Sequence, residues 1–133
     1  MDGHLLRPLR LEPGADLRGA LEALASAEGQ AFFVVAGIGS LGGARLRLAG
    51  ATAELALDGP LEILTLAGSL SADGAHLHMA VADASGAVQG GHVGRGCTVR
   101  TTAELLLAPL PGWRLTREPD AATGYAELRI ARA

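Results

Sequence analysis

The sequence predicts an α+β domain, a mainly antiparallel sheet carrying one principal amphipathic helix, and three observations lead there. One stretch repeats its apolar residues with the helical period. Many short apolar runs, separated by Gly, Pro, Asp or Ser, read as strands. The chain of 133 residues, 49% of them apolar, suffices for one core, and no linker, repeat or second composition regime divides it, so residues 1–133 are expected to form a single domain.

The helix lies within Asp16–Glu28, where Leu17, Ala20, Leu21, Leu24 and Ala25 recur at i, i+3, i+4, i+7 and i+8, and Gly29 stands where a helix C-cap is expected. Phe32–Val35 then opens a short buried strand. Gly37, Gly39, Gly42 and Gly43 are expected to break the chain before Arg45–Leu48, which alternates with period two. Further strands are expected at Ala53–Leu57, Leu61–Leu70, Ala75–Ala82, Ala87–Val93, Cys97–Ala108, Trp113–Arg117 and Tyr125–Ala131, each bounded by turn-forming residues.

Composition removes several function classes. Eleven basic residues, all arginine and scattered singly, face 14 acidic ones for a net charge of −3, which makes no nucleic-acid-binding stripe. Aromatic residues are only 3% of the chain, so stacking platforms for single-stranded nucleic acid are missing. The lone Cys97 excludes an internal disulfide framework and reads as a small buried apolar group. The opening MDGHLLRPLRLEPG lacks a secretory apolar run, and no apolar stretch is long enough for a membrane span, which together suggest a cytoplasmic protein. There is no nucleophile elbow and no lysine for a P-loop, and the glycines of GIGSLGG lead into a strand rather than a helix.

The informative residues are His76, His78 and His92; His4, near the amino terminus, reads as incidental. His76 and His78 are two apart in a strand and so project from one face, while Leu77, Met79 and Val81 take the other. A three-residue loop, Ala84-Ser85-Gly86 with Gly86 left-handed, would pair Asp83 with Ala87, Ala80 with Gly90 and His78 with His92. Three imidazoles then converge, and the small residues Ala80, Ala82 and Gly90 are expected to leave a recess for a metal or ligand beside them. A slip of one residue would turn His92 to the opposite face. Three neutral imidazoles leave a fourth position open on a zinc ion, the arrangement of a catalytic site; the alternative is surface histidines bonded to their neighbours.

Two carboxylates enter as a second shell or as proton acceptors. Glu62 alternates in step with Leu64 and Leu66 and should need a partner, and Glu104 shares strand parity with Arg100 and Thr102, which suits an ion pair.

These residues carry a resemblance. The run GPLEILTLAGSL followed by HLHMAVADASGAVQGGHVGRGCTVRTTAELLL resembles the plant-and-prokaryote-conserved (PPC) domain, whose members show an E-I-L segment, an H-L-H strand, a D-x-x-G turn, a G-G-H strand and a T-x-E strand in that order. The resemblance implies an α+β fold assembled as a homotrimer, with the histidine strands near subunit interfaces. It aligns His76, His78 and His92 with the family's histidines, which form a metal site in some prokaryotic members, and Glu62 with the acidic residue of the E-I-L segment. In land plants the domain follows AT-hook segments, but this chain has no such motif, and its net charge gives no counterion-release drive toward DNA.

The leading expectation is therefore a stand-alone, cytoplasmic, homotrimeric PPC module that binds a divalent metal, zinc first, or a small-molecule ligand through His76, His78 and His92. A metal-dependent hydrolase using Glu62 or Glu104 and a DNA-associated regulatory module are the alternatives.

Overall fold

The computed structural model describes residues 5–133, so His4 and the first part of the MDGHLLRPLRLEPG stretch lie outside the described residues. In chain order the elements are β1 (Arg7–Leu11), α1 (Leu17–Glu28), β2 (Ala31–Arg47), β3 (Leu55–Ser71), β4 (Gly74–Ala82), β5 (Val88–Val93), β6 (Thr98–Leu110), β7 (Trp113–Pro119) and β8 (Ala126–Arg132). The first six strands form one antiparallel sheet in the order β1-β6-β2-β3-β4-β5, and β7 and β8 form a separate hairpin. The carboxyl end of β2 also pairs with β5, through Leu46 with Val93 and Arg47 with His92. Strands β2 to β5 therefore close into a ring, and β5 is hydrogen-bonded along both its edges.

Helix α1 starts where Asp16 accepts a hydrogen bond from the Gly19 amide at 2.8 Å, and it stops at Gly29, whose left-handed backbone donates to Ala25 and Ser26. Its buried face, Leu17, Leu21 and Ala25, joins the core formed by Phe32, Val34, Leu41 and Leu46 of β2, Ile63, Leu66 and Leu70 of β3, and Leu77, Met79 and Val81 of β4. Each of these large side chains contributes about 1.5–3 kcal/mol when removed from water. Cys97 is buried in the same cluster, its thiol pushed up from its ordinary pKa chiefly by burial.

Two expected breaks are absent. Strand β2 runs unbroken through GIGSLGG, because register shifts against β6 at Val34/Ala36, Gly39/Leu41 and Leu41/Gly43 absorb the irregularity as bulges. Gly39 is required by close approach: a Cβ there would stand 2.6 Å from the Thr102 carbonyl oxygen and 2.8 Å from the Ala103 Cα. Likewise the two strands expected at Ala53–Leu57 and Leu61–Leu70 are one, β3, which continues through a cis Gly59–Pro60 bond. Strand β1 was not foreseen, since its five residues gain a sheet role only by pairing with β6, nearly a hundred positions away.

The outer face of the sheet exposes Phe33, Val35, Ile38 and Leu64. No described helix is long and apolar enough to cross a membrane.

Candidate metal centre

The hairpin β4–β5 places the histidines. Its turn is fixed by Asp83, whose amide donates to Ala87 at 2.9 Å and whose carbonyl accepts from Gly86 at 2.9 Å. The Asp83 side chain adds a second set of bonds, accepting from the Ser85 amide at 2.9 Å, the Ser85 hydroxyl at 2.6 Å and the Ala87 amide at 3.1 Å. These bonds, the Ser85 hydroxyl first, hold the carboxyl below its ordinary pKa. Gly86 takes the left-handed conformation, at φ 85°, that a side chain would resist. The resulting register sets Ala80 against Gly90 and His78 against His92, as the turn chemistry predicts.

Paired residues of an antiparallel ladder project to one side, and here the three imidazoles meet. Ring centroids are 5.0 Å apart for His76 and His78, 5.2 Å for His76 and His92, and 5.9 Å for His78 and His92. One ring nitrogen from each lies within 4.8 Å of the others. His92 is pushed down to a pKa of about 4, by burial first and then by His76, Arg47, Arg18 and His78. His76 is also lowered, by burial and then by Arg117 and His78. Both rings are thus neutral at pH 7, the form that offers a lone pair to a metal. Three such nitrogen donors suit a zinc-like divalent ion and leave room for further ligands on it.

The space beside the rings differs from the expected recess. A cavity of about 640 Å³ opens next to His76 and His92, walled by Arg18 of α1, Arg47 of β2, Asp73, Arg117 of β7 and Glu127 of β8. A second, of about 400 Å³, opens next to His76 and His78 and shares Arg117 and Glu127. Ala80, Ala82 and Gly90 line neither. The void is made by docking the β7–β8 hairpin against the sheet. That docking rests on the Arg117 amide donating to Asp73 at 2.8 Å and on its Nη2 donating to Ser69 Oγ at 3.0 Å and to His76 Nδ1 at 2.9 Å.

The two carboxylates singled out from the sequence do not join the histidines. Glu62 pairs with Ala82, four residues along β4 from His78, which is about 13 Å at the strand rise. It is exposed beside Leu64, because the register shift between Ile63 and Thr65 changes the parity and buries Leu66 instead. A carboxylate in water needs no partner. Glu104 pairs in register with Arg10, but Arg10 makes its ion pair with Glu12, at 3.6 Å. Glu62 and Glu104 line a separate groove with Ile38, Ser40 and Thr102.

The site residues that sequence reasoning passed over are Arg18, Arg47, Arg117 and Glu127. None of the four carried a usable signal: Arg47 reads in the sequence only as part of an alternating strand, and it meets His92 through the β2–β5 pairing that closes the ring.

Comparison with known proteins places this geometry among relatives. Residues 6–111 match the family model of the Plants and Prokaryotes Conserved (PCC) domain, the PPC domain of the resemblance above. A solved structure of a hypothetical protein from Salmonella cholerae-suis superposes with a TM-score of 0.91 at 41% identity, covering 96% of this chain and 93% of that one. A metal-containing protein from Archaeoglobus fulgidus superposes with a TM-score of 0.78 at 28% identity, covering 92% and 91%. The bifunctional protein GlmU of a Synechococcus strain is 54% identical over 124 residues, which are 92% of this chain and 20% of that protein. The chain therefore spans about one fifth of the length of the curated relatives it matches.

Proposed function

The chain belongs to the Plants and Prokaryotes Conserved domain family, and on that footing we propose that it is a metal-binding module whose divalent ion, zinc first, is held by His76, His78 and His92. The observation that carries this reading is the convergence of three imidazole nitrogens within 4.8 Å beside a cavity. The metal-containing relative from Archaeoglobus supports it. Bound there, the ion would supply Lewis-acid chemistry. The chain's own residues hold the imidazoles in place through the Asp83 turn and through the double pairing of β5, and they wall the cavity with Arg18, Arg47, Arg117 and Glu127.

Metal analysis of untagged protein after addition of zinc should find about one ion per chain, lost in His78→Ala and His92→Ala. No retained zinc in the parent would overturn the reading.

The module works as a homotrimer in the cytoplasm. Phe33, Val35, Ile38 and Leu64 form an exposed apolar strip on the outer sheet face, which a second copy would cover, and the buried thiol of Cys97 suits a reducing compartment. Light scattering should return about three times the mass of one chain, and a monomer at micromolar concentration would contradict the assembly. Hydrolysis at the metal is the enzymatic version of this reading, with Glu127 the carboxylate that lines both cavities. A DNA-associated role requires steeply salt-dependent duplex binding, which a net charge of −3 does not favour.

A further inference from the structure

The histidine cavity holds more positive charge than a metal site needs. Arg18, Arg47 and Arg117 line it, against the carboxylates of Asp73 and Glu127. Arg18 is engaged, through Glu22 at 3.4 Å and the Val93 carbonyl at 3.0 Å. Among the described residues neither Arg47 nor Arg117 has a carboxylate within ion-pair distance. Arg47 is the register partner of His92 and projects from the same side of the sheet. Arg117 donates to His76.

A guanidinium has only donors, and a neutral imidazole has one ring nitrogen with a free lone pair. Arg117 occupies that nitrogen of His76, so its contact and ligation of a metal by His76 exclude each other. When His76 turns to an ion, the Arg117 head group is released within the cavity it already lines. A divalent ion then adds two positive charges to a half-buried space that already holds two guanidinium groups without carboxylate partners, which is costly without a counter-charge.

We propose that the cavity takes a small organic carboxylate, bound between the metal and the guanidinium groups of Arg47 and Arg117, and that the β7–β8 hairpin selects it. The proposal rests on the metal reading above. Planar two-oxygen recognition is what a guanidinium fork does best, and about 640 Å³ is space for a molecule of a few to some twenty heavy atoms. Arg117 and Glu127 both lie in the β7–β8 hairpin, outside the residues 6–111 that match the family model.

The test is calorimetric titration of zinc-loaded and zinc-free full-length protein with malonate, pyruvate and inorganic phosphate, for the parent, Arg47→Gln and Arg117→Gln. The expected result is carboxylate binding to the zinc-loaded parent that weakens about tenfold or more in each variant while zinc stoichiometry is kept. Arg47 touches no histidine nitrogen in the contacts above, so Arg47→Gln decides the outcome if Arg117→Gln disturbs the fold. Failure of both carboxylates to bind at 10-millimolar order, equal affinity in parent and Arg47→Gln, or binding of phosphate alone would each overturn the proposal. Carboxylate binding that is equally tight without zinc and still depends on Arg47 would overturn the bridging by the metal and leave the guanidinium clamp standing, whereas the metal reading itself fails only if the parent retains no zinc.

Discussion

The Nη2 of Arg117 lies 2.9 Å from the Nδ1 of His76, and because a guanidinium can only donate, that nitrogen is the acceptor and the ring proton sits on Nε2. A hairpin strand thereby sets the tautomer of a histidine on the main sheet.

Removing the guanidinium should show in His76 directly. In Arg117→Gln the His76 pKa should rise, since Arg117 is the largest cause of its depression after burial, and zinc should bind at least as tightly as in the parent because its competitor for the lone pair is gone. Nitrogen-15 chemical shifts of the imidazoles across a pH series measure the first, and competition with a chromogenic chelator measures the second. An unchanged His76 titration would contradict the assignment.

Acid should destabilise the zinc-free protein in a window set by His92. Its folded pKa of about 4 lies below the ordinary value of 6.5, so between those values the unfolded chain binds the extra proton and stability falls as pH is lowered. Because the ring is only half-buried, solvent reduces the effect below that of a fully buried group. Urea midpoints from pH 7.5 to 4.5 should decline in the parent and decline less steeply in His92→Ala. Parallel curves would rule the idea out.

The turn at Asp83 should matter at a distance. Asp83→Ala removes three acceptor contacts from the loop that keeps His92 opposite His78, so thermal stability should fall and zinc affinity should weaken although no ligand is altered. The carboxyl's folded pKa is depressed, so its contribution is present above its ordinary value of 3.8 and is lost as pH falls through the folded one. Equal zinc affinity in Asp83→Ala and the parent would show that register does not depend on this turn.

Gly39 and Gly42, three residues apart in β2, should behave in opposite ways. Gly39→Ala drives a Cβ against the Thr102 and Ala103 backbone and should cost about 1–3 kcal/mol of stability. At Gly42 the nearest atom to an added Cβ is the Thr98 carbonyl oxygen at 3.9 Å, and Gly42→Ala should change stability by less than about 0.5 kcal/mol. Chemical denaturation of the two variants checks the contrast, and a neutral Gly39→Ala would refute the packing account.

What was legible in the sequence was local. The helix shows in its 3.6-residue stripe and Gly29, and the hairpin register shows in the D-x-x-G turn, so the meeting of His76, His78 and His92 follows from seventeen consecutive residues. What was not legible depends on distant pairing. Glycines at 37, 39, 42 and 43 signal a loop by composition, yet the strand runs on through them with bulges against β6, and of the four only Gly39 lies so close to β6 that a side chain is excluded. Leu66 changes faces through a bulge that alternation alone does not reveal. Arg117 and Glu127 reach the histidines only because a hairpin more than twenty residues beyond them in sequence folds back on Asp73 and Ser69.

The division between the closed ring of strands and the separate β7–β8 hairpin gives the molecule an interchangeable part. The three histidines stand on the ring, with β5 fastened along both edges, while Arg117 and Glu127 stand on a two-stranded flap that shares no ladder with it. Grafting a different sequence onto positions 113–132 would then retune what the pocket accepts and leave its inner wall intact, so the same scaffold can be re-specified without rebuilding its centre.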